Sequence, residues 1–268
     1  MEGNPKYIDD NFFTFTGYCS FFIAIEDNIF RKNFVIDIIP VQDDIRRALT
    51  DMTRDSIYNL AEISETDTEI EDESYLIDNR DQQVYHWINI QNQIWMVENL
   101  NIGTIVPGRK KQENNKIIEK YCYDDKEDNC NTYGGLYQWN EAMDYNENPQ
   151  GICPQGWHLP TVSEWESLIQ AVGGNKTAGA SLKERGAEHW KESEKYLAMV
   201  SEIPSSGFNA LPGGLRSKTT NKFSAMGFIG FYRTSTNSSF YCLYDSEAFI
   251  KHQTNYPVAG FSIRCIKD

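Results

Sequence analysis

Apolar residues in one short stretch of this chain recur at helical spacing. Trp165, Leu168, Ile169 and Val172 fall at i, i+3, i+4 and i+7, a single face of a helix. Just ahead, Thr161 and Glu164 stand three apart in the T-x-x-E spacing of a capping box. Gly173-Gly174 follow, where a helix C-terminus often needs a left-handed residue. The pattern predicts a helix over residues 162–172, docked on a core through Trp165.

Elsewhere the pattern is that of short strands. Phe12–Phe15, Ser20–Ile25 and Asn33–Ile39 are rich in aromatic and β-branched residues, with polar turns between them and Pro40 closing the last. Residues 43–61 suit a helix, with Ile45, Leu49, Met52 and Leu60 near one face. Ser64–Ser74 is mostly acidic with a single apolar residue, the composition of a linker. Val84–Leu100 reads as two strands turning at Asn89–Asn92. Ala178–Arg185 reads as a second short helix, and beyond Pro204 the chain is glycine-punctuated and short-stranded. The division expected is a β-rich N-terminal domain with one helix over residues 1–63, an acidic linker over 64–77, and an α+β domain over 78–268.

Charge sharpens that division. Residues 1–80 hold 18 Asp and Glu against 7 Lys and Arg, a net of −11, while residues 81–268 carry a net of only −3. The acidic part is a solvated surface or a dock for a basic partner; an acidic chain repels phosphate backbones, so no nucleic-acid partner is expected. No apolar run approaches the ~18–20 residues of a membrane span. The start at Met1 has no basic and apolar leader, so either an export signal has been removed or the protein leaves its cell by another route. No C-x-x-C occurs and the four histidines are scattered, so no metal site and no cofactor are expected.

Several words of the sequence resemble a known family. Gln93-Ile94-Trp95-Met96-Val97-Glu98-Asn99-Leu100, Cys130-Asn131-Thr132-Tyr133-Gly134-Gly135-Leu136-Tyr137, Gly156-Trp157-His158-Leu159-Pro160-Thr161, Gly207-Phe208-Asn209-Ala210-Leu211-Pro212 and Gly260-Phe261-Ser262-Ile263-Arg264-Cys265 occur in that order. Together they resemble the Fibrobacter succinogenes major paralogous domain, a family of secreted and surface modules abundant in Bacteroidetes, over residues 78–268. Its words are similar to those of formylglycine-generating-enzyme-type domains, and the resemblance implies a C-type-lectin-like fold with much irregular structure. It implies pairing of Cys122 with Cys130 and of Cys153 with Cys265, leaving Cys19 and Cys242 as buried thiols or a third bridge. It also places Trp95, Trp139, Trp157, Trp165, Phe208, Leu211, Phe228 and Phe261 in the core.

Chemistry narrows the function. Formylglycine generation needs a reactive cysteine pair near the C-terminus, and Phe240–Tyr244 offers only Cys242. The calcium-site words of sugar-binding lectins are missing, and so are the hydrolase, P-loop and dinucleotide motifs. His158 reads as a satisfied buried histidine rather than a base. No catalytic residue is therefore expected. Binding fares better: Arg233–Tyr241, Tyr244–Ser246 and Lys251–Tyr256 are written in Tyr, Ser, Asn and His, the vocabulary of adaptable recognition surfaces. Tyr241, Tyr244, His252, Asn255 and Tyr256 are the candidate ligand contacts, although strand alternation sets Tyr241 and Tyr244 on opposite faces.

The expectation is a non-enzymatic recognition module that binds a glycan or a surface protein outside the cell or on its surface. Residues 1–63 would engage a protein partner, and a homo-oligomer is left open. The alternative is a decoration or attachment protein on the exterior of a phage virion, docked through its N-terminal domain. A signal sequence or lipobox upstream in the native gene would exclude that alternative.

Overall fold

A computed structural model describes residues 74–186, 188–191, 197 and 200–268, together with the backbone of residues 18–25 and 28–35. The chain divides into two compact units, Met1–Glu71 and Asp72–Asp268. The first contains an antiparallel hairpin of β1 (Tyr18–Ile25) and β2 (Asn28–Val35), paired from Tyr18↔Val35 to Ile25↔Asn28. The strand expected over 20–25 lies inside β1. The one expected over 33–39 begins earlier, because a two-residue connection carries the pairing back to Asn28. Phe12–Phe15, the helix over 43–61, residues 64–73 of the linker and the Cys19 side chain fall outside the described residues.

The second unit is a mixed α+β domain. It begins with β3 (Tyr75–Ile77), β4 (Val84–Ile90), β5 (Gln93–Met96), β6 (Thr104–Ile105) and β7 (Glu119–Lys120). Helices α1 (Glu127–Tyr133) and α2 (Trp139–Ala142), strand β8 (Trp157–His158), and helices α3 (Val162–Ala171) and α4 (Ala178–Leu182) follow. Strands β9 (Leu215–Arg216), β10 (Phe223–Ser224), β11 (Ile229–Arg233), β12 (Phe240–Tyr244), β13 (Ile250–Gln253) and β14 (Ile266–Lys267) complete it. A five-stranded antiparallel sheet runs β3-β4-β5-β14-β8, and a three-stranded meander runs β11-β12-β13. Because β3 pairs with β4, the linker expected to reach residue 77 gives way to ordered strand at Tyr75. The β4–β5 turn lies at Gln91-Asn92, both at positive φ (45° and 71°), as a type I′ hairpin requires. Among the described residues no helix is long and apolar enough to cross a membrane.

Helix α3 forms as its pattern predicts. The Thr161 hydroxyl accepts from the Glu164 N–H (3.2 Å), and the Glu164 carboxylate accepts from the Thr161 N–H (2.7 Å), closing the capping box. Gly173 follows the helix at φ 105°, the left-handed end the glycine pair allows. Trp165 is fully buried at the centre of an aromatic cluster, 5.2 Å from Trp95, 5.7 Å from Phe208 and 5.0 Å from Tyr241 between ring centroids. A second cluster packs Met96, Leu100, Tyr137, Ile152, Leu159 and Ile263 around the Cys153–Cys265 disulfide. The other bridge joins Cys122 and Cys130, and Cys242 is a buried free thiol. Phe228 departs from the expected core. It is 44% exposed, because the Gly227 turn (φ 85°) sets it ahead of β11 at the surface, where the Lys191 ammonium sits 4.7 Å from its ring. Trp139 and Leu211 are only half-buried.

Three arginines, Arg216, Arg233 and Arg264, are buried inside the domain. Backbone carbonyls, the Asn99 side-chain oxygen and aromatic faces, rather than carboxylates, solvate them. Arg216 donates to the carbonyls of Gly108, Lys110 and Val258 and lies 4.9 Å from the Tyr121 ring. Arg233 donates to Tyr137 and Ala259, and burial pushes its pKa down to about 9, which leaves it charged at neutral pH.

His158, at the end of β8, is clamped between two carboxylates. Its Nδ1 lies 2.7 Å from the Asp268 carboxylate and its Nε2 lies 2.8 Å from that of Glu164. The bond to Glu164, aided by Asp268 and opposed by partial burial, raises the His158 pKa above its ordinary 6.5. Burial would raise the Glu164 pKa, but the bonds from His158 and Thr161 outweigh it and hold it below 4.5. A raised histidine pKa stabilises the fold below 6.5, and that gain is lost as pH rises through the folded value. A lowered carboxylate pKa stabilises above 4.5 and is lost as pH falls through the folded value. The stability lost in His158→Gln is therefore expected to be largest between pH 4.5 and 6.5 and to shrink on the alkaline side. Urea titrations of both proteins across pH 4–9 check this; a constant difference would remove the ion pair from the account.

Candidate functional site

Beside its buried stripe, α3 carries a polar one: Ser163, Glu166, Ser167 and Gln170, again at i, i+3, i+4 and i+7. Between that stripe and the β12–β13 hairpin lies an open groove of about 770 Å³. Buried Ile169, Tyr241 and Ile250 form its floor. Exposed Glu166, Gln170 and Asn175 stand around it, while Lys251 at its margin sets its ammonium 4.9 Å from the Tyr244 ring, on the other face of the hairpin.

Rings give the groove a rigid side. Tyr241 on β12 faces His252 on β13 in register, and the two stack at 4.9 Å with 27° between planes. Tyr241 also stacks on Trp165 at 5.0 Å and 24°, so three rings lead from the core to the exposed His252. The cross-strand register and the capped helix hold them in place. Burial, with the Glu166 carboxylate adding to it, pushes the Tyr241 pKa up to about 12, so its hydroxyl is neutral at any physiological pH. The groove thus presents the exposed His252 ring, backed by buried Tyr241, beside a carboxylate and two amides, each able to bind a hydroxyl.

The other candidate contacts lie elsewhere. Tyr244 points to the opposite face of β12, among Phe231, Phe240 and Cys242, with its hydroxyl 3.5 Å from the Cys242 sulfur. Burial keeps that thiol protonated by raising its pKa. Tyr256 packs edge-on against Phe240 at 5.2 Å, under the Lys218 ammonium. Asn255 is exposed beyond β13 and lines a different concavity. The structure therefore brings together Tyr241 and His252 and separates the remaining three. Glu166, Gln170 and Asn175 were not among the candidates. The polar stripe on α3 is a sequence signal for the first two, but the register that brings His252 to Tyr241 has no local signature. Among the described residues, no group of three or more His, Cys, Asp or Glu side chains is placed to hold a metal ion.

The family model of the Fibrobacter succinogenes major domain matches residues 88–267. The chain belongs to this family. The matched span of this Fibrobacter succinogenes major domain takes in α3, the β11–β13 meander and both disulfides, and therefore the whole groove. Strand β3 and the start of β4 lie ahead of it. No curated protein and no solved structure matches the chain.

Proposed function

We propose that the domain is a non-enzymatic recognition module that binds glycans in the α3/β12–β13 groove. The observation that carries the reading is the exposed His252 ring, stacked on Tyr241 and through it on Trp165, and bordered by Glu166, Gln170 and Asn175. A sugar ring offers an apolar face and a rim of hydroxyls. A planar aromatic surface edged by donors and acceptors complements both, and bracing it in advance lowers the entropy lost on binding.

A C-type-lectin-like fold for residues 72–268 is part of the same reading. It is supported by the pairing of β5 with β14, by the bridge from the centre of the domain to its end, and by the irregular segments between short strands. The two disulfides support an oxidising destination, outside the cell or on its surface.

Glycan-array screening of the full chain, followed by titration calorimetry on the best ligand, tests the reading. His252→Ala and Glu166→Gln are each expected to weaken binding about tenfold, the equivalent of about 1.4 kcal/mol. Both residues are exposed, so the fold should survive either change. Unchanged affinity in both variants would refute the groove as the site.

A further inference from the structure

A second concavity, of about 520 Å³, opens beside the first groove's hairpin and has different chemistry. Asn237 and Ser238 line it from the β11–β12 loop, Thr254 and Asn255 from the turn after β13, and Trp139 and Asn140 from α2. Pro257 completes the lining, and none of the seven side chains carries a charge, although 24% of the chain's residues do.

The backbone around it is tied down. The Trp139 indole N–H donates to the Thr234 carbonyl (3.1 Å), and its backbone N–H donates to the Pro257 carbonyl (2.8 Å). The Tyr256 N–H donates to the Ser238 carbonyl (3.5 Å), joining the two loops. Asn237, Ser238 and Asn255 are held at φ 48°, 48° and 65°. Three amides and two hydroxyls are thus presented next to one indole ring. Each amide offers a donor and an acceptor side by side, the pairing that vicinal hydroxyls satisfy. Without a charged group, the site gives an acidic or basic ligand no ionic partner.

We infer that this concavity is a second carbohydrate site, selective for uncharged saccharides and distinct from the groove that carries Glu166 and His252. It does not depend on the groove being a site.

Affinity electrophoresis of the full chain in gels containing dextran, laminarin, xyloglucan or galactan tests it, with alginate as the charged comparison. At least one neutral polysaccharide is expected to retard the chain. The double variant Asn237→Gly/Asn255→Gly removes both amides while keeping a backbone that glycine adopts without strain. It should weaken that retardation at least tenfold, and Asn140→Ala, which leaves both loops intact, should weaken it in the same direction. His252→Ala should leave it unchanged. The inference is overturned if none of the four polysaccharides retards the chain, if the amide variants migrate as the parent does, or if His252→Ala abolishes the same retardation. Failure of the groove reading looks different: His252→Ala then alters binding to no ligand at all.

Discussion

Replacing Cys153 and Cys265 together by alanine is expected to lower the unfolding free energy of the domain by about 4–5 kcal/mol, against about 2–3 kcal/mol for the Cys122/Cys130 pair. The difference comes from loop length. The first bridge spans 112 residues and the second only 8, so the first removes far more freedom from the unfolded chain. The native geometry points the same way. Cys265 adjoins the two-residue strand β14, which pairs with both β5 and β8, and a strand so short needs its end pinned. All six tryptophans lie between residues 87 and 190, so urea unfolding followed by tryptophan fluorescence reports on this unit and not on residues 1–71. Equal losses for the two double variants would contradict the loop-length account.

Arg264→Met is expected to cost about 3–5 kcal/mol, as much as breaking a buried ion pair, although no carboxylate bonds to this arginine. Its Nε and Nη2 both donate to the Asn99 side-chain oxygen, at 3.1 and 2.8 Å. The remaining donors reach the carbonyls of Met96, Phe208 and Asn209, while the guanidinium lies 4.4 Å from the Phe208 ring. Methionine fills a similar volume but leaves the Asn99 oxygen and those carbonyls buried without donors. These groups come from two distant segments, so the guanidinium ties the β5 end and the 207–209 turn to the C-terminal strand. Arg264→Lys should fall between the parent and methionine, since one ammonium cannot reproduce the planar fork. A loss below about 1 kcal/mol for Arg264→Met, again by tryptophan-detected urea unfolding, would mean the pocket relaxes or admits water.

Much of this core was legible because its signals are local. The capping box, the Trp165 stripe and the Gly173 terminator all lie within fourteen residues, and the structure reproduces each of them. The Gln91-Asn92 turn fell where Val84–Leu100 was read to reverse. Both disulfides came from the family's words, not from spacing. What stayed illegible depends on contacts distant in sequence. Arg264 was one letter of a family word, and nothing near it announces that Asn99, 165 positions earlier, will receive its guanidinium. Phe228 looked like core by type, yet one positive-φ glycine ahead of it turns it outward. In the groove, alternation correctly separated Tyr241 from Tyr244. Pairing Tyr241 with His252 needed the β12–β13 register, and setting both beside Glu166 needed the docking of α3.

The central claim is that the ringed groove makes the principal glycan contact. Amide chemical-shift mapping on the full chain, titrated with the tightest-binding glycan of the array, tests it most directly. The account predicts shifts that saturate together and concentrate at Glu166, Gln170, Asn175, Lys251 and His252. A bound glycan that leaves those five positions unmoved would contradict it.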